Sequence, residues 1–182
     1  GKPKGLRAFQ YPSILLAKGI PTPEPVAYIE EQGRFNLLGY TYFISLQIDY
    51  GHTFYEFGDA AEGTYEEAAE ALGRFAASIH EKDVLHKDFT PGNVLWRKDS
   101  EGFHFMLVDI NRMAFGPVSV KQGLPYLIRF WGPRRFTELL IEAYCHARNA
   151  DVQQALAYAM PQRERFWRHY RKKHDVPFKL EL

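Results

Sequence analysis

Between residues 85 and 95 the chain reads Leu-His-Lys-Asp-Phe-Thr-Pro-Gly-Asn-Val-Leu. His86, Asp88 and Asn93 thereby stand in the spacing H-x-D-x-x-x-x-N, and that spacing fits phosphoryl transfer. An Asp in such a loop accepts or positions the proton of an attacking hydroxyl. An Asn five residues on, anchored where a strand begins, turns back toward a metal ion that holds nucleotide phosphates. The reaction asks for little covalent help, so fixed carboxylates, amides and metal ions do most of the work. A second carboxylate for Mg²⁺ is therefore required, and Asp109 follows the apolar run Phe105–Val108 that leads back toward the loop. The plainer reading makes Asp88 a turn residue, Pro91-Gly92 a tight turn and Asn93 a cap. His86 is grouped with Asp88 and Asn93 in the catalytic loop, with the expectation that it serves as a scaffold bonding to backbone.

These residues need elements to hold them. A helix is expected over 7–18, stopped by Gly19 and with Pro12 in or before its first turn. Pro21, Pro23 and Pro25 then enforce an extended approach to a strand at Val26–Ile29, and Thr41–Ile48 reads as a second strand that pairs with it. Thr64 and Glu67 have the spacing of a capping box. After them Ala68, Leu72, Phe75, Ala76 and Ile79 mark one face of a helix ending near Glu81. Val94–Trp96 and Phe103–Val108, separated by a turn at 99–102, read as a hairpin. Helical spacing returns at Phe136–Ala147 and Val152–Ala159. Strands first and helices afterwards argue for an α+β fold.

Composition sets outer limits. The 182 residues are 46% hydrophobic and 25% charged, and 23 Lys plus Arg against 22 Asp plus Glu leave a net charge of +1. Nothing in that balance calls for nucleic acid as a partner. Cys145 is the only cysteine, which excludes an intrachain disulfide and fits a reducing compartment. With no charged-then-apolar leader and no apolar run of spanning length, a cytoplasmic location is expected, with possible peripheral contact at the inner membrane face. That contact would use the basic and aromatic stretch 163–173; the plainer reading is a C-terminal helix with Phe166 and Tyr170 packed inward. His52, His80, His104, His146 and His174 have no spacing that suggests a shared metal, and Cys145 reads as a buried, inert thiol. Arg134 and Arg135 open a helix, against its dipole, which hints at another task.

The segment HKDFTPGNVLW, together with Gly19–Glu30, Thr41–Tyr50 and LVDINRMAFGP at Leu107–Pro117, resembles the lipopolysaccharide core kinases of the Kdo/WaaP type. The resemblance reaches to about Pro117 and weakens in the helical remainder. It implies a protein-kinase-like fold, with residues 1–50 as a truncated small-lobe sheet plus hinge and 51–182 as a mostly helical catalytic lobe. It also implies ATP and Mg²⁺ as cofactors, Asp88 as base, and Asn93 and Asp109 as metal ligands. Gln47 and Asp49 would lie in the hinge beside the adenine, and Asn111 and Arg112 next to the metal. The acceptor would be a sugar hydroxyl of the lipopolysaccharide inner core, heptose or Kdo.

Two departures from the family pattern stand out. No Gly-rich loop precedes Gly19, and Lys2, Lys4 and Lys18 lie on no strand that could present them to phosphates. Either Gln10 takes the place expected for a glutamate that would pair with such a lysine, or the pairing is absent. The Gly1 start favours a fragment of a longer protein. The competing readings are a choline- or aminoglycoside-type kinase and a pseudokinase-like binding module.

Overall fold

The computed structural model describes residues 3–33 and 38–182; Lys2 lies outside them. Helix α1 (Lys4–Ala17) begins after Pro3 and ends at Lys18 and Gly19. It starts three residues earlier than the sequence suggests, so Pro12 falls in its interior and is buried there. Strands β1 (Pro25–Gln32) and β2 (Leu38–Ser45) form an antiparallel pair with Tyr28 opposite Phe43 and Ile29 opposite Tyr42. Helix α1 lies against this pair, with Phe9 stacked on Tyr28 at 6.2 Å.

After an extended connection at 46–51 come β3 (His52–Thr53), a 3-10 turn at Phe54–Phe57 and helix α2 (Glu66–Glu81). The Thr64–Glu67 capping box does not form. The Thr64 hydroxyl donates instead to the Ala61 carbonyl, the Glu66 carboxylate accepts from the Gly63 and Tyr65 N–H groups, and Glu67 pairs with Lys98. Glu66 is the better cap because its carboxylate already sits in the first turn, among unpaired N–H groups.

Strands β5 (Val94–Asp99) and β6 (Gly102–Leu107) make the expected hairpin, and β3 joins it beside β5. A separate two-stranded ladder pairs β4 (Val84–His86) with β7 (Met113–Phe115). That ladder brings the segment before Asp88 alongside the segment after Arg112. Helices α3 (Val120–Leu127), α4 (Arg134–Ala147) and α5 (Val152–Tyr170) complete the chain.

The core runs through α2, α4, the hairpin and an aromatic group in which Phe54 meets Phe57, Phe105, Phe130 and Phe136. Arg134 and Arg135 find their task one and two turns along α4, pairing with Glu138 and with Glu138 and Glu142 respectively. Helix α5 continues unbroken through Pro161, so the basic stretch begins in its second half and runs into the turn that follows it. There Trp167 and Arg163 are fully buried, and Phe166 stacks on Tyr170. Arg163 donates to the Thr137 hydroxyl and to the Gly132 and Glu181 carbonyls, which fastens the C-terminal tail to the start of α4. No helix among the described residues is long and apolar enough to cross a membrane.

Candidate active site

The loop at 85–95 is built around a buried imidazole. His86 closes β4 with 1% of its surface exposed. Its Nε2 donates to the Val108 carbonyl at 3.1 Å, and its Nδ1 accepts the Asp88 N–H at 3.1 Å. Those two bonds require the neutral ring, and burial pushes the His86 pKa down in keeping with it, opposed by the Val108 carbonyl and the Asp88 and Asp109 carboxylates. The ring therefore joins the Asp88 loop to the strand end that carries Asp109. Both of its partners are backbone groups, the kind of contact a scaffold makes.

Asn93 fastens the other end of the loop. Its Nδ2 donates to the Asp88 carbonyl at 2.9 Å, which closes the five-residue interval on itself. Its backbone carbonyl accepts the Val108 N–H at 3.0 Å, just before Asp109. With the amide nitrogen committed, Oδ1 is the atom left to meet a ligand. Gly92 precedes it under the Tyr55 ring, where a Cβ would come within 2.9 Å of the aromatic carbons. Tyr55 in turn packs edge-on against Trp131 at 5.0 Å, so the loop is backed by aromatic rings.

Asp109 is exposed and holds a left-handed backbone conformation, φ +48°. Asp tolerates that region better than most side chains, but the conformation still costs energy, and such residues gather where geometry serves function. Its carboxylate accepts from the Asn111 amide, and the Asn111 carbonyl accepts from Nε of Arg7 on α1 at 3.1 Å. Arg112 places a guanidinium nitrogen 3.7 Å from the Asp88 carboxylate.

Beside this loop a cavity of about 450 Å³ opens between α1, β2 and the Asp109 turn. Its walls include Lys4, Thr41, Phe43, Ser45, Asp109 and Asn111. Gln47 and Asp49 are exposed on the connection after β2 and are not among its walls. Lys18 lies outside it too, donating to the Lys82 carbonyl. Helix α1 carries no acidic residue at all.

The donor set suits a hard divalent cation. Oδ1 of Asn93 and the carboxylate of Asp109 offer oxygen atoms on segments joined by a backbone hydrogen bond, and Mg²⁺ prefers one or two protein oxygens plus phosphate and water. A different group, Asp99, Glu101 and His104, also gathers three potential ligands among the described residues. It sits at the far tip of the β5–β6 hairpin, where Asp99 already accepts from Arg97, His104 and the Glu101 N–H. His104 thus has acidic neighbours that its sequence spacing concealed. His80 is spoken for by Tyr144, and Cys145 is buried, its thiol pushed up to about 11 by desolvation.

The model of the lipopolysaccharide kinase (Kdo/WaaP) family matches residues 1–115. The chain belongs to that family. The matched span holds the whole His86–Asn93 loop, Asp109, Asn111 and Arg112, and stops at the end of β7. Among solved structures, WaaP in complex with acyl carrier protein is similar over 94% of this chain and 77% of that one, with 14% identity and a TM-score of 0.62. That likeness places this Kdo/WaaP family member in the kinase-like fold, a mixed helix and sheet architecture. The Rio2 kinase–ADP/Mg²⁺–phosphoaspartate complex from Chaetomium thermophilum is also matched, over 94% of this chain and 55% of that one, with 14% identity and a TM-score of 0.47. No curated protein matches the chain by sequence.

Sequence reasoning overlooked two residues that brace the candidate site. Arg7 ties α1 to the Asp109 turn, and Arg129, just after α3, donates to the Lys87 carbonyl at 3.0 Å. Neither contact leaves a trace in the sequence, since each joins an ordinary arginine to a backbone carbonyl 104 or 42 residues away.

Proposed function

We propose that the chain transfers the γ-phosphoryl group of ATP to a sugar hydroxyl of the lipopolysaccharide inner core, heptose or Kdo. The observation that supports this reading is the hydrogen-bond chain, within the family-matched span, in which buried His86 holds the Asp88 N–H and the Val108 carbonyl next to Asp109, and Asn93 closes on the Asp88 carbonyl. The Asp88 carboxylate, half-exposed and held by its own backbone bond to His86, takes the proton of the acceptor hydroxyl. The hydroxyl oxygen then bonds to the γ-phosphorus as the bridging oxygen departs with ADP. Asn93 and Asp109 hold Mg²⁺, which when bound neutralises charge on the triphosphate. The cavity between α1 and β2 receives the nucleotide, and residues 46–50 run past it as the hinge. Residues 1–50 form the small-lobe part and 51–182 the catalytic lobe.

Calorimetry tests this reading. The chain is titrated with ATP in the presence and absence of Mg²⁺, alongside Asp109→Ala. Mg²⁺-dependent binding by the parent chain, lost in the variant, is expected. Binding that ignores both Mg²⁺ and Asp109 overturns the assignment.

A further inference from the structure

Asp88 is the only carboxylate of the 85–95 loop, and three basic residues adjoin its position: one precedes it in the chain, one pairs with its carboxylate and one bonds to the carbonyl before it. Lys87 precedes it and is exposed. Arg112, with 64% of its side chain exposed, brings Nη1 to within 3.7 Å of the Asp88 carboxylate. Arg129 reaches in from the end of α3, where Nη1 donates to the Lys87 carbonyl at 3.0 Å and the guanidinium lies over the Tyr126 ring at 4.7 Å. Its neighbour Phe130 packs on Phe89, the residue after Asp88, at 5.1 Å, so the arginine's position is fixed by the core.

The head group of Arg129 is incompletely satisfied. Its Nε is buried without a hydrogen-bond partner, and no carboxylate among the described residues pairs with it. Leaving a charged donor in that state is costly, because its lost hydration is not replaced. The Arg134, Arg135 and Arg168 side chains of the same half of the molecule each have a glutamate. Among the described residues the Arg129 charge, at the end of α3, thus has no carboxylate partner. The Asp109 turn and its cavity lie on the side of α1 and β2.

We propose that Arg129, with Arg112 and Lys87, forms an anion subsite that receives a phosphate or carboxylate substituent of the acceptor sugar next to the hydroxyl presented to Asp88. This rests on the reading of Asp88 as the acceptor-facing base. The exposed, planar Arg112 guanidinium can meet such a group with two parallel N–H bonds while Arg129 and Lys87 add positive charge beside it, and an anion there offsets the repulsion among the three cations. An uncharged acceptor would leave that repulsion in place, so the subsite selects for anionic sugars.

The buried Nε–H of Arg129 supplies the reporter, because burial slows its exchange with water. The arginine-labelled chain is titrated, without nucleotide, with inorganic phosphate, acetate and chloride at matched ionic strength, following arginine Nε–H resonances. A saturable shift at Arg129 with phosphate or acetate, and none with chloride, is expected. The stronger of the two says whether the acceptor's group is a phosphate or a carboxylate. In Arg129→Gln, followed at the Asp88 N–H, affinity falls at least tenfold, whereas Arg165→Gln on the distant exposed face of α5 leaves it unchanged. Identical unsaturating changes with all three anions, or an Arg129→Gln variant that binds like the parent, overturn the subsite. Calorimetry with Mg²⁺ and ATP on Arg129→Gln separates the two readings. Retained nucleotide binding with lost anion binding isolates the subsite, and failure of nucleotide binding in the parent chain counts against the kinase assignment alone.

Discussion

Asp88 gives its N–H to His86 and keeps its carboxylate half-exposed, with Arg112 beside it. Asp109 has the reverse arrangement, its backbone forced to φ +48° and its carboxylate already oriented by Asn111. These arrangements fit the proposed roles, Asp88 acting on an incoming hydroxyl and Asp109 holding a metal ion. Asp88→Asn should leave the affinity for ATP with Mg²⁺ within about twofold while lowering transfer by about 10²- to 10⁴-fold, the usual worth of a positioned general base. Calorimetry and turnover measured on the same preparation check it; a parallel loss of both would show that Asp88 holds the nucleotide. The loop was legible in the sequence because its geometry is local: His86, Asp88 and Asn93 bond to one another across intervals of two to five residues. Arg7 and Arg129 were not, because their partners are backbone carbonyls that carry no residue identity.

Elements with strong periodicity could be read ahead of the structure, and those defined by a few contacts could not. The faces of α2 and α4 and the β5–β6 hairpin follow from apolar spacing. The ladder of β4 and β7, three residues each, exists only because the chain returns there. Pro12 was misplaced because a buried proline inside a helix depends on packing that offsets its lost hydrogen bond, which no local signal reveals. The close meeting of α2 and α4 is another case. Gly73 is buried on α2, and a Cβ there would run into the Leu140 carbonyl and come within 2.9 Å of the Ala143 Cβ and 3.0 Å of the Tyr144 nitrogen. Alanine favours a helix over glycine by about 1 kcal/mol. Overpacking against backbone costs about 1–3 kcal/mol or more, and a carbonyl cannot swing aside as a side chain can. Gly73→Ala should accordingly destabilise the protein by about 1–2 kcal/mol, measured by urea unfolding. A stabilised variant would mean that the two helices part easily.

Across the whole molecule, one polar network links elements that the hydrophobic core alone would leave free to slide. His80 on α2 accepts at Nδ1 from the Tyr144 hydroxyl on α4 at 2.8 Å. That hydroxyl accepts from Nη1 of Arg148, whose Nη2 donates to the Val118 carbonyl ahead of α3. Gly123 of α3 lies so close that a Cβ would meet the His80 ring at 2.6 Å. The imidazole is 6% exposed, and burial, helped by the Arg148 charge, pulls its pKa down to about 4. An unfolded histidine titrates near 6.5. Between those values the unfolded chain binds a proton that the folded chain refuses, so stability falls as pH falls. The contribution is fully present above about pH 6.5 and is lost as pH drops through about 4, amounting to roughly 3 kcal/mol over that span. His86, also buried and shifted downward, acts in the same direction, so the parent chain alone cannot assign the slope. The comparison that does is His80→Gln, whose amide oxygen can still accept from Tyr144 but which has no proton to gain. Chemical unfolding of both proteins at intervals from pH 7.5 to 4.5 should give curves that run parallel above pH 6.5. Below it the parent should lose stability faster, by up to about 1.4 kcal/mol per pH unit. Equal slopes throughout would mean that His80 takes up its proton inside the folded protein, and that the network tolerates a charge at its centre.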